Sequence, residues 1–133
     1  MNPENEIHRL ELKKEAGAEY IITQPVFDVD SLEKFLEKAD LGKLMLIAGI
    51  WPLVSLRNAE FMKNEVPGVY VPDEVISHIA RYDNREDQLK AGIEIAQGMI
   101  DRVSGFVSGI QVSAPFGRYN LAVEVAGAIL NAK

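Results

Sequence analysis

The chain of 133 residues contains no cysteine, which excludes a disulfide framework, a thiolate nucleophile and a zinc–thiolate centre. Concentrated positive charge is also missing. No basic run exceeds Lys13-Lys14, and 14 Lys+Arg against 20 Asp+Glu leave a net charge of −6. Nucleic acid is therefore not an expected partner. No apolar stretch approaches the ~20 residues that span a bilayer. The polar start MNPENEIHRL lacks the apolar core of a signal peptide. A soluble, cytoplasmic chain with no membrane contact is expected. The two histidines, His8 and His78, stand 70 residues apart with no third ligand in view, so they read as surface residues and no metal site is expected. Repeats, linkers and low-complexity segments are absent as well. What is present is 47% hydrophobic and 26% charged residues, ordinary for one folded domain with one core.

Asn2-Pro3 with Glu4 and Glu6 combines a cap, a first-turn proline and acids at the positive dipole end. A helix is predicted from there to about Ala16, with Ile7 and Leu10 as a thin apolar stripe and Gly17 ending it. A strand follows over 19–24, apolar on both sides and read as covered by helices. Asp30 and Glu33 form a box-like start for a second helix bearing Leu32, Phe35, Leu36 and Ala39 on one face. A second strand is predicted over 44–49. Ser55 caps a third helix carrying Leu56, Ala59 and Met62, which Val66-Pro67-Gly68 breaks. Asp73 is expected to cap a further helix with Ile76, Ile79 and Ala80 inward. A long helix then places Leu89, Ile93, Ala96, Ile100 and Val103 at alternating spacings of four and three. Gly105 to Gly109 is read as a turn, because it precedes a strand rather than opening a helix. The third strand is predicted over 110–113. A closing helix from near Arg118 carries Leu121, Ala122, Val125, Ala126, Ile129 and Leu130.

Strand starts near 19, 44 and 109 describe strand–helix units joined by right-handed crossovers. The first spacing is close to the ~31-residue unit of a (β/α)₈ barrel. The fold class expected is α/β, a partial (β/α)₈ TIM barrel of about three parallel strands with helices. Three parallel strands leave two sheet edges unpaired, and a whole barrel takes about 250 residues. The chain is thus expected to belong to a larger barrel, to associate with another chain, or to form a small open sheet.

Ligands in such folds bind at the carboxyl ends of strands. Polar groups there are Thr23 and Gln24 after the first strand, then Trp51 with Arg57, Asn58 and Phe61 after the second. Ser113, Phe116, Arg118, Tyr119 and Asn120 follow the third. An amide, an arginine able to grip a carboxylate and stacking aromatics make a binding site. No pair of carboxylates or Ser/His/Asp set accompanies them, so no catalytic residue is assigned. The plainer alternatives are that Gln24 satisfies a turn, that Trp51 and Phe61 are core, and that Arg118 caps or pairs locally.

The segments AGAEYIITQPVF (16–27), GIWPLVSLRNAEFMKNEVPGVYVPDE (49–74) and GIQVSAPFGRYNLAVEV (109–125) resemble methylenetetrahydrofolate reductases. The middle one is most similar to the reductase module of bifunctional homocysteine methyltransferase/reductase proteins. The resemblance implies a (β/α)₈ barrel holding FAD, which passes hydride from NAD(P)H to 5,10-methylenetetrahydrofolate and so serves methionine biosynthesis. It implies that residues 1–133 are the carboxyl-terminal portion, with the last three strands. By the same resemblance Gln24 contacts the pterin, and Asn58 and Phe61 bind folate or nicotinamide after a one-residue shift. Arg118 lies near the folate tail and Lys13 contacts the flavin. Leu12 stands where the family has a flavin-binding arginine. The family's acid that opens the methylene bridge and its flavin-side aspartate belong to the other half of the barrel. An isolated chain is accordingly expected to be inactive, with a homo-oligomer or the rest of the barrel as its partner. The competing expectations are a non-catalytic assembly or ligand-binding α/β module, and a fragment of another pterin-binding barrel.

Overall fold

The structure is a computed structural model that describes residues 3–131, with side chains described for 4–127. The anticipated Asn2 cap and the inward positions Ile129 and Leu130 lie outside these limits. Helix α1 (Pro3–Glu15) ends at Gly17, whose φ of 97° is left-handed backbone open to glycine. Strand β1 (Tyr20–Pro25) leads to α2 (Val29–Lys38), then β2 (Met45–Ile50), α3 (Leu56–Glu65) and α4 (Asp73–Ala80). Helix α5 (Arg85–Val103), β3 (Gly109–Val112), a 3₁₀ turn (Pro115–Gly117) and α6 (Tyr119–Asn131) complete the chain. The strands are parallel in the order β1-β2-β3, as a sector of a barrel requires.

One face of the sheet is packed. Ala48, Ile50, Ile110 and Val112 meet Ile93, Ala96, Ile100 and Val103 of α5, together with Leu121 and Val125 of α6. The four-and-three spacing of α5 therefore faces inward as its sequence predicts, and Ile100 and Val103 are fully buried. The other face is open: Tyr20, Ile22 and Met45 are each a little over half exposed. This corrects the expectation that β1 is covered on both sides. Its apolar run is continuous because it borders a space that these residues do not fill.

Two helix starts and one inward-facing position differ from the expectation. Asp28, not Asp30, occupies the N-cap of α2, and its carboxylate accepts from the Ser31 hydroxyl at 2.6 Å. Pro72 precedes α4, whose first residue is Asp73. Asp73 instead accepts a hydrogen bond from Lys63 Nζ at 2.6 Å, which ties α4 to the end of α3. Ala80 is exposed, while Val75 takes the inward place beside Ile79. Ser55 does cap α3, accepting from the Asn58 amide at 3.0 Å. At the other end Gly68, with φ of 82°, forms the break that Val66-Pro67-Gly68 predicts.

Helix α5 approaches the chain after β2 so closely that only glycine fits at position 92. A Cβ there would overlap the carbonyl oxygen of Leu53 and lie 2.8 Å from its carbonyl carbon. That contact fixes the height at which the chain leaves β2 and enters the rim.

Candidate functional site

The carboxyl ends of the three strands form a rim, and its geometry begins with an irregularity in β1. Ile22 pairs with Ile47, but Pro25 pairs with Gly49, so β1 holds one residue more than its partner. The surplus is absorbed at Thr23-Gln24. Thr23 Oγ1 accepts from the Gly49 amide at 2.9 Å and donates to the Gln24 carbonyl at 2.8 Å. The ladder resumes when the Val26 amide donates to the Gly49 carbonyl at 2.9 Å. A Cβ on Gly49 would stand 2.7 Å from the Thr23 carbonyl oxygen, so glycine is needed for this close approach. Gln24 is consequently exposed, and its side-chain amide forms no hydrogen bond within the described residues. It is a free donor and acceptor at a strand end, not the satisfied turn residue of the plainer reading.

After β2, Trp51 is half-buried against the cluster around Phe27, Leu53 and Met62. Its indole N–H donates to Asn58 Oδ1 at 3.1 Å, and the Val54 amide donates to the same oxygen at 3.2 Å. Asn58 is buried, so its carbonyl oxygen holds the β2–α3 connection in shape. Phe61, on the next turn of α3, is 54% exposed, which places it at the surface and not in the core. The aromatic pair of the plainer reading is thus divided: Trp51 packs, Phe61 does not.

After β3, Phe116 has φ of 56° and is among the most exposed large side chains. Such backbone is uncommon for a bulky residue. Arg118 and Tyr119 follow, both exposed, and Arg118 forms no ion pair within the described residues. Ser113 accepts from Gln111 Nε2 at 3.3 Å.

A groove of about 1070 Å³ runs from this rim between α1 and α2. Gln24 and Lys13 both line it, with Leu10, Ile21, Phe35 and Tyr70 supplying apolar surface. The structure therefore brings together two of the residues singled out from sequence. Asn58, Phe61 and Arg118 do not line this groove. Lys14, next to Lys13 on α1, is occupied elsewhere: its Nζ donates to the Asp40 carbonyl at 2.8 Å. Sequence reasoning missed Lys34 and Lys38, which line the α2 side. Their spacing of four was the available signal, since it puts both on one helix face.

His8 is exposed, and His78 stands edge-on to Tyr82 with ring centres 6.2 Å apart. Among the described residues no three His, Asp or Glu side chains come together as a metal would need. None of the helices there is long and apolar enough to cross a membrane.

Comparison with known proteins agrees with this architecture. No curated protein matches the chain. A solved structure described as an uncharacterized protein from Clostridium thermocellum that binds two copies of 5-methyl-5,6,7,8-tetrahydrofolic acid superposes with a TM-score of 0.64 at 20% identity. The alignment covers 98% of this chain and 52% of that one, so the chain spans about half the length of this structural relative. At that identity the likeness establishes the fold, and the three parallel strands with their helices are part of a barrel. The sequence model of methylenetetrahydrofolate reductase matches residues 1–112, and the chain belongs to that family.

Proposed function

We propose that residues 1–133 are the carboxyl-terminal portion of a (β/α)₈ flavoenzyme that reduces 5,10-methylenetetrahydrofolate to 5-methyltetrahydrofolate with NAD(P)H. The observation that carries the reading is the free amide of Gln24, held at a strand end by the Thr23–Gly49 irregularity in a chain of this family. An amide offers one donor and one acceptor edge, the pattern a pterin ring presents in reverse. The exposed face of Phe61 suits stacking on a planar ring, and the Arg118 guanidinium suits a carboxylate. Asn58 acts through Trp51 and Val54, by fixing the connection that leads into α3, the helix bearing Phe61. The unpaired Lys13 ammonium in the groove fits an anionic part of FAD. When bound, the flavin supplies hydride acceptance from nicotinamide and hydride donation to folate. This chain's residues bind and orient; no group placed here moves a proton, which matches a site shared with the other half of a barrel.

Binding of 5-methyltetrahydrofolate to the purified chain tests the reading by calorimetry. Gln24→Ala is expected to weaken it about tenfold, the worth of a hydrogen bond to a polar ring, with an unchanged melting temperature. Equal affinities for the two proteins refute the assignment. A second reading, a non-catalytic assembly module, draws support from the open sheet face with Tyr20, Ile22 and Met45. A concentration-dependent dimer without folate affinity would favour it.

A further inference from the structure

The open face of the sheet changes character at its carboxyl end. Below, Tyr20, Ile22 and Met45 make it apolar. On β3, Ile110 and Val112 pack toward the helices, so Gln111 between them lies on the open face, where it is exposed. Its partner in the ladder is Gly49 of β2. Outside the neighbours of Gly49 in the chain, the three heavy atoms nearest to where its Cβ would stand are all oxygens. They are the Thr23 carbonyl at 2.7 Å, the Gln24 carbonyl at 3.5 Å and Gln111 Oε1 at 3.6 Å. The Thr23 carbonyl is there because it has lost its place in the ladder. The Met45 amide donates to the Glu19 carbonyl at 3.1 Å, and the same pattern continued along both strands would give the Gly49 amide to the Thr23 carbonyl. That amide goes to the Thr23 hydroxyl instead. Gln111 Nε2 donates to Ser113 Oγ at 3.3 Å, which leaves Oε1 as the free end of the side chain, with no donor among the described residues. None of the three strands contains a charged residue. The space over Gly49 is therefore bordered by neutral acceptors.

From this cluster we infer that Gln111 is a second substrate-binding residue, whose Oε1 receives the amino group of the pterin over Gly49. The main-chain carbonyls of Thr23 and Gln24 border the same space. This assignment takes the pterin to lie beside Gln24, as proposed above, and adds a contact from the strand on the far side of β2. The two outer strands stand about 10 Å apart, two strand spacings, so a ring lying over β2 is met from both sides. Oxygens without charge suit a neutral N–H donor. A divalent cation would call for carboxylates, and a ring carbonyl would meet acceptors only. An amino group on a ring carries two N–H donors and can satisfy two of the oxygens together. Glycine at position 49 then serves a second purpose: any side chain there would fill the space that the amino group enters. A ring without that group would leave the acceptors empty, so Gln111 sets specificity as well as affinity.

The test titrates the whole chain and its Gln111→Leu and Gln111→Glu variants by calorimetry. The two ligands are 5-methyltetrahydrofolate and its analogue with a methyl group in place of the pterin's amino group. Thermal unfolding of each protein controls for folding. Gln111 is exposed, so both variants are expected to melt within a degree or two of the parent. The parent is expected to prefer the amino ligand by about tenfold, the factor one hydrogen bond carries. Gln111→Leu should lose most of that preference by weakening the amino ligand alone, with the methyl analogue bound as before. Gln111→Glu keeps an acceptor in place and should keep the preference. A preference that Gln111→Leu leaves intact overturns the assignment and spares the folate reading. Equal weakening of both ligands also overturns it, since the residue then reads no amino group. If Gln24→Ala binds folate as the parent does while Gln111→Leu still abolishes the preference, the side-chain role of Gln24 is refuted and that of Gln111 upheld. Failure of both ligands to bind the folded parent overturns both.

Discussion

Replacing Gly92 with alanine sets two known effects against each other. Alanine is the best helix former, and removing an interior glycine from α5 gains roughly 1 kcal/mol of helix propensity. Against this, the new methyl would overlap the Leu53 carbonyl oxygen and lie 2.8 Å from its carbon. Both clashing partners are backbone, so no rotamer change relieves them, and Leu53 is fully buried. Overpacking in a dense core costs about 1–3 kcal/mol where side chains can yield, and here the upper end or beyond applies. The net expectation is a loss of about 2 kcal/mol or more, a fall of roughly 6–10 °C in melting temperature for a domain of this size. Gly98 on the same helix is the internal control: a Cβ there meets nothing within 4 Å. Gly98→Ala should stabilise by about 0.5–1 kcal/mol. Urea unfolding of the three proteins, with equal slopes required, decides the matter. Gly92→Ala as stable as the parent would refute the claim that α5 sets the height of the β2 exit.

Two more expectations concern the fold beside the site. Asn58→Ala strips the acceptor from the Trp51 indole and the Val54 amide. Leaving both donors short of a partner should cost about 2–3 kcal/mol in denaturant unfolding, with a red-shifted tryptophan emission, and an unshifted spectrum would contradict the coupling. The Lys63–Asp73 contact lowers the Asp73 pKa below its ordinary value, first through the hydrogen bond and then through charge, and raises that of Lys63 by the same causes. The contribution of Asp73 is therefore present above the usual carboxylate range and fades as pH falls through its lowered value. Melting temperatures of the parent and Asp73→Asn should differ at neutral pH and converge in strong acid; a gap that persists there would count against the pair.

The helices were the most legible part of the chain, because their signals are local. The spacing of Leu89 to Val103 names the inward face of α5 without knowledge of what it packs on. Ser55 stands directly before the apolar spacing of Leu56, Ala59 and Met62. Where two acids stood close, as at Asp28 and Asp30, the choice depended on backbone geometry: Asp28 is extended and Asp30 already helical. Asp73 was misread for a tertiary reason, the attraction of Lys63 ten residues back. The covering of β1 was misjudged because an apolar strand looks the same whether its neighbour is a helix or the inside of a barrel. The resemblance singles out Gln24 and Lys13 one by one, and the groove that both line was not legible. It depends on how α1 and α2 stand about β1, which no local pattern encodes.

The Thr23 hydroxyl substitutes for a backbone group where the first two strands part. Sheet ladders are made of main-chain atoms that every residue carries, so their geometry is largely indifferent to mutation. This one rung depends on a side chain, and a single codon change can delete or alter it. Substitution at position 23 can therefore re-aim the glutamine beyond it while the paired residues below stay in register. The end of the strand is in this sense an adjustable fitting on a fixed frame, and variation at position 23 changes where Gln24 points without loss of the fold.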